Sequence, residues 1–347
     1  VERVDPGGHR RIKGLRLVTA YAIAAMAGTM VKLAHPVPGQ AALPSLAGGF
    51  ALWASVSEAR ATRMESCRDL LLLSAAAALG AMSFIVLARP SLSFGHAGPE
   101  LILVAGAFLV GYLRRFGLTG VGIGSQIFIG QLLACGAQLG AADVPTVALA
   151  GLIAAAAAIV PRTLSGPAEH PQAIQAAPVP SRCRLRPETI MGLQGAVASL
   201  AIVSLDAAFT LTEAAWAITA CTYVIAGSAA GTVDRVRRRL IGTAIGVPLG
   251  LACLPLASTA PLVLWSAAAL AMVIYAVALP QRYDIACGAS AYTLIVTLAT
   301  GGEHSIALLA SRLWETFLGG GLGLAIAMLL LPLRLEQESA TARHQAP

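Results

Sequence analysis

Charged side chains are scarce in this sequence: they make up 12% of its 347 residues, where a soluble domain carries about 25%. A water-soluble surface cannot be built from so few. Aromatic residues are few as well, at 5%, and none forms a platform beside the basic clusters, so the formal net charge of +7 does not point to nucleic acid. The six cysteines, Cys67, Cys135, Cys183, Cys221, Cys253 and Cys287, stand far apart with no pair at metal-ligand spacing. They indicate neither a disulfide framework nor a zinc site. The histidines (His9, His35, His96, His170, His304 and His344) fall in tails, loops or the ends of apolar runs. With no Ser/His or His/Asp/Glu cluster inside those runs, an intramembrane enzyme is not expected and no cofactor is implied. The first residues, Val1 to Arg11, lack the small-residue cleavage pattern of a signal peptide, so the first apolar run is expected to stay as an anchor.

What abounds is apolar sequence, at 57% of residues and a mean hydropathy of +0.75. About 20 apolar residues cross about 30 Å of hydrocarbon, so about twelve spans fit the length. Runs bounded by charge, Pro and Gly place them near 15–34, 41–57, 70–88, 99–113, 118–138 and 144–161, then near 188–207, 212–230, 240–257, 261–279, 284–300 and 305–331. The expected fold class is an all-α polytopic membrane protein of about 12 transmembrane helices. Ser165 to Pro187, with five prolines, reads as a cytoplasmic linker. The domains are then a six-span set over 1–164, the linker 165–187, a second six-span set over 188–335 and a cytoplasmic tail over 336–347.

Lys and Arg resist translocation, so their distribution orients the chain. With a cytoplasmic N-terminus that side receives the clusters at Arg10–Arg16, Arg60–Arg68, Arg114–Arg115, Arg182–Arg186 and Arg235–Arg239, together with Arg162, Arg282, Arg334 and Arg343. Lys32, Arg89 and Arg312 are left for the other side, whose loops carry Asp143, Asp206, Glu213 and Glu303. Both termini are therefore expected to be cytoplasmic. The two sets also match at an offset of about 170 residues: Arg63 to Arg68 followed by Leu79-Gly80 lies against Asp234 to Arg239 followed by Leu249-Gly250, and Pro161-Arg162 lies near Pro332-Leu333-Arg334. With six spans each, the copies enter in the same orientation and read as parallel repeats.

In the second set, Trp216-Ala-Ile-Thr219, then Arg238 to Gly246 with Gly250, then Arg312-Leu-Trp-Glu-Thr316 with Gly319, resemble the fusaric acid resistance-like (aromatic acid exporter) family. The resemblance covers about 120 residues. It implies a multi-pass transporter of the bacterial inner membrane, typically an exporter of aromatic or other organic acids that often works with a periplasmic adaptor protein. The large cytoplasmic domain that many such proteins carry has no counterpart within this sequence. Expected partners are the lipid bilayer and a small organic anion, with the adaptor and a second copy of the chain left open.

Read physically, Gly242, Gly246 and Gly250 recur every four residues on one helix face and suit close helix packing, and Gly319, Gly320, Gly321 and Gly323 suit packing or a flexible point. Arg235, Arg237, Arg238 and Arg239 are expected in a cytoplasmic basic loop. Arg312 and Glu315 are neighbours on one helix face, where each charge costs roughly 2.5 to 3.5 kcal/mol. Either they form a salt bridge that locks two helices, or Arg312 contacts an anion while Glu315 carries a proton. Thr316, Trp216, Thr219 and Gln131 are further candidates along a substrate or proton pathway. Gln131 and Gln138, seven apart, are expected to share a face, and Lys32, Asp206 and Glu213 to snorkel to the interface. Two rival functions stay open: a major facilitator-type transporter, since Gly231-Thr-Val-Asp-Arg-Val-Arg-Arg238 is similar to the basic loop of that superfamily, and a passive organic-anion channel.

Overall fold

The computed structural model describes residues 8–34, 40–60, 62–165, 186–279, 281–300, 305–330 and 332–333. The expected linker, apart from its ends, and the expected C-terminal tail lie outside the described residues, as do Arg182, Arg184, Glu303, Arg334 and Arg343. The described residues are helical throughout, with no strand among them. In the first set, α1 is His9–Ala34, α2 Leu43–Ser57, α3 Arg63–Ser91, α4 Leu101–Tyr112, α5 Gly117–Gly136 and α6 Val144–Leu164. The second set runs α7 Pro187–Phe209, α8 Ala214–Val224, α9 Ala229–Ala252, the single turn α10 Leu256–Thr259, α11 Pro261–Ala278, α12 Tyr283–Thr300 and α13 Ile306–Leu329.

Every expected span falls on one of these helices, but not every helix is a full span. Six segments are long and apolar enough to cross a membrane, counting α4 and α5 with the 3-10 turn between them as one. That makes the chain a multi-pass membrane protein. The remaining helices differ in kind: α8 has 11 residues and α2 has 15, and at 1.5 Å per residue α8 covers about 16 Å, half of the hydrocarbon thickness, whereas α9, α12 and α13 have 24, 18 and 24 residues and fall outside the six for composition.

Local chemistry sets the ends. Thr62 starts α3 as its N-cap, its side chain accepting from the Glu65 N–H and donating to the Glu65 carboxylate at 2.9 Å. Ser228 caps α9, its hydroxyl accepting from the Gly231 N–H at 3.0 Å. Arg235, Arg237, Arg238 and Arg239 consequently lie on helix α9 and not in a loop: once Ser228 caps the helix, it runs through the basic cluster without a break. Four residues between α8 and α9 leave the helical path, and backbone groups at this break find partners outside the helical ladder. The Ala226 N–H donates to the Thr232 hydroxyl at 3.1 Å, and the Ala229 N–H to the Leu333 carbonyl at 3.1 Å.

Within the first set, α3 packs on α5 and α6, α2 on α1 and α6, and α4 on α5. Within the second, α9 packs on α12 and α13, α8 on α7 and α13, and α11 on α12. Between the sets, α4 lies on α7 and α1 on α11. One apolar core fills the first set around Phe50, Leu73 and Phe84, and another joins the sets through Phe128, Ile202 and Ile218. Close approach is what the glycines provide. A Cβ at Gly242 or Gly246 would collide with the backbone of α12 at Asp284 and Gly288, so the face carrying these residues is buried against a neighbouring helix. Gly250 packs likewise, against Ile295.

The helices leave two chemically distinct ends. One carries Arg16, Arg60, Arg114, Arg162 and the arginines of α9. There the Arg60 Nε donates to buried Asp69 at 2.8 Å, and the Thr119 hydroxyl donates to the same carboxylate oxygen at 3.2 Å. The hydrogen bond to Asp69 holds the Arg60 guanidinium even more firmly protonated than usual. The other end carries Glu100, Asp206, Glu213 and His96.

Candidate functional site

The acidic end of the second set gathers most of the expected site. α13 starts after Ser305, whose hydroxyl accepts from the Leu308 N–H at 3.2 Å. One turn further, Ser311, Arg312, Glu315 and Thr316 all turn inward and are buried. Gly319 and Gly323 then let α13 lie directly on α8, since a Cβ at Gly319 would collide with the Ala217 carbonyl and one at Gly323 with Cys221 and Val224. That approach brings the first turn of α8 over Arg312, whose guanidinium carbon sits 3.4 Å from the centre of the Trp216 ring. Gly321 faces open space, so the glycine run is a packing face interrupted by one outward residue.

Arg312 is 6% exposed and Glu315 is 0% exposed. No ion pair joins them among the described residues, although each lies within electrostatic reach of the other. The Nε and Nη1 of Arg312 and both carboxylate oxygens of Glu315 are buried without a hydrogen-bond partner. Ser311 and the backbone of Glu213 stand beside the Glu315 carboxylate, and Glu213 lies within electrostatic reach of Arg312. In an apolar surrounding two charged groups held this way are costly, offset in part by the aromatic face on the cation. The arrangement presents unused guanidinium donors and an unused carboxylate at one spot, which suits an anion on one side and a proton on the other.

Thr219 and Thr316 line the same helix pair, yet their hydroxyls donate to the carbonyls of Ala215 at 2.8 Å and Arg312 at 2.7 Å. They can offer a ligand only acceptor lone pairs. Gln131 does not join the group. It is buried between α3, α4 and α5, its amide donating to Ser83 at 3.2 Å and its carbonyl oxygen filling the space left by Gly106. Gln138 shares no helix face with it, because α5 ends at Gly136 and Gln138 sits exposed in a left-handed turn, φ 49°.

Asp206 is not a snorkelling residue either. It is 4% exposed and accepts from the Leu211 N–H at 2.8 Å, closing the end of α7. His96 reaches the Asp206 carbonyl from the first set at 3.0 Å through Nε2, which must therefore carry the proton. Glu100 stands near this group with one buried oxygen unpartnered. The sequence pattern singled out neither Glu100 nor His96. Both lie in the irregular segment before α4, where the only signal was polar residues at the edge of an apolar run. No group of three or more metal-ligating side chains occurs among the described residues.

Residues 197–326 match a family model described as fusaric acid resistance protein-like. The match begins inside α7 and ends inside α13, so it contains Trp216, the arginines of α9, Arg312 and Glu315. No curated protein and no solved structure matches the chain.

Proposed function

We propose that the protein is a secondary transporter of the bacterial inner membrane that moves a small organic anion, aromatic carboxylates foremost, out of the cell in exchange for protons. The observation that carries this reading is the pair of buried, unbonded charges on α13, Arg312 under Trp216 and Glu315 beside it. A structural role for charge at membrane depth would be served by a closed ion pair, whereas open donors and an open carboxylate serve a passing anion and a proton. The match over residues 197–326 favours an exporter of this family over a major facilitator-type carrier.

The architecture supports the same reading. The pairing of α3 with α5 and α6 has its counterpart in α9 with α12 and α13. Likewise α2 with α1 and α6 corresponds to α8 with α7 and α13, and α4 on α7 corresponds to α11 on α1. We therefore take the chain as two parallel six-helix repeats about a pseudo-twofold axis, both termini at the Arg-rich, cytoplasmic end, in keeping with the excess of Lys and Arg there.

Inverted membrane vesicles test the function. Energised vesicles should accumulate benzoate against its gradient, and a protonophore should collapse the accumulation. Arg312→Ala and Glu315→Gln should each abolish it while the protein stays inserted. Full accumulation by both variants refutes the assigned site, and steady benzoate conductance in a planar bilayer without a proton gradient would establish a passive channel instead.

A further inference from the structure

The opposite end of α8 holds a second group of cations that the Arg312 site does not use. The 3-10 turn after α4 (Leu113–Phe116) sets Arg114 beside a small cleft lined also by Gly111, Met191, Thr222 and Ile225. The Arg114 Nε is buried and has no hydrogen-bond partner. From α9, Arg235 comes within electrostatic reach of Arg114 and donates from Nη1 to the Ile225 carbonyl at 3.4 Å. One turn on, Arg239 holds another buried, unpartnered Nε. Tyr223, in the last turn of α8, lies within reach of both Arg114 and Arg239. Its hydroxyl is 2.7 Å from that of Ser125, on α5 of the other set, and its ring stands edge-on to Phe128 at 5.9 Å. Tyr283, opening α12, flanks Arg239 from the other side.

None of Arg114, Arg235 and Arg239 makes an ion pair among the described residues, although surface pairs such as Arg238 with Asp234 do form. The groups acting most strongly on Arg239 are tyrosines and Cys287, not carboxylates. Gathering guanidinium groups without a counter-ion costs both mutual repulsion and lost hydration. A bound anion relieves both, and the arginine fork with its free N–H groups fits a carboxylate, with Tyr223 and Tyr283 as the aromatic neighbours of the cations.

We propose that Arg114, Arg235 and Arg239, with Tyr223 and Tyr283, form an anion-binding site for a small planar organic carboxylate at the Arg-rich end of the junction between the two helix sets. This site lies about 10 Å along α8 from Trp216, so the 11-residue helix separates two cationic stations. The inference rests on the transport reading only in making this the station the anion meets first.

Binding of radiolabelled benzoate to the intact purified protein, with benzamide as its uncharged isostere, tests the site. The protein should bind benzoate and prefer it over benzamide. Arg239→Gln and Arg114→Gln should each weaken binding about 10- to 100-fold, the loss expected for one charge-assisted contact. Arg239→Lys keeps the charge without the fork; it should fall between and shows that loss in the glutamine variant is not misfolding. Arg312→Gln should remove only its own station and keep the class of benzoate sites that Arg239→Gln and Arg114→Gln weaken. The proposal is overturned if the intact protein binds no benzoate, if benzamide competes equally, or if both glutamine variants bind like the parent. Loss confined to Arg312→Gln also overturns it and leaves the transport reading standing. Binding lost in the Arg239 and Arg114 variants, from a parent that moves no benzoate across a proteoliposome membrane, upholds the site and removes the transport reading.

Discussion

Gly246→Ala measures how far the fold depends on contact between α9 and α12. A Cβ at Gly246 meets the carbonyl oxygen, carbonyl carbon and Cα of Gly288, all backbone, so no side chain can rotate away and the helices must part. Forced expansion of this kind costs about 1–3 kcal/mol. Alanine also returns about 1 kcal/mol of helix propensity, which would blur the result. Gly321→Ala removes that ambiguity, because Gly321 is exposed with nothing within 4 Å of an added Cβ and gains the same propensity without the collision. The difference between the two variants therefore isolates the packing cost. Unfolding in mixed micelles by rising SDS, followed by far-ultraviolet circular dichroism, should place Gly246→Ala below Gly321→Ala by about 1–3 kcal/mol. Coincident midpoints would refute the close packing of these helices.

Three further substitutions probe the polar framework by the same titration. Asp69→Asn weakens the bond from Arg60 and leaves that guanidinium without its anion; because Arg60 is partly exposed, the loss should be about 1–2 kcal/mol, against less than about 1 kcal/mol for Asp234→Asn on the surface of α9. Gln194→Met removes the donor that reaches the Leu330 carbonyl at 2.8 Å and should cost about 1 kcal/mol with benzoate transport unchanged.

Helix positions were legible because apolar runs of spanning length have few other uses. Their ends were less so. The apolar run over 212–230 carries no break at Val224; beyond it the Ala226 N–H turns to the Thr232 hydroxyl of the next helix, and the start of that helix is held by the distant Leu333 carbonyl. The basic cluster of α9 looked like a loop because charge density suggested one, while the Ser228 cap that makes it helical is a single residue. The candidate site was half legible. Spacing put Arg312 and Glu315 on one face, but whether they bond each other depends on Trp216, 96 positions earlier, and on glycines that let α8 close over the arginine. Gln131 looked equally eligible, since an amide in an apolar run carries no mark of whether a neighbouring helix or a ligand will use it.

The central claim is that Glu315 carries the proton and Arg312 the anion. Proteoliposomes loaded with benzoate separate the two roles, since exchange of labelled for unlabelled benzoate requires only the anion site, while uptake driven by an imposed pH gradient requires both. Glu315→Gln should retain exchange and lose gradient-driven uptake, and Arg312→Gln should lose both. Gradient-driven uptake by Glu315→Gln at the rate of the parent protein would contradict the account.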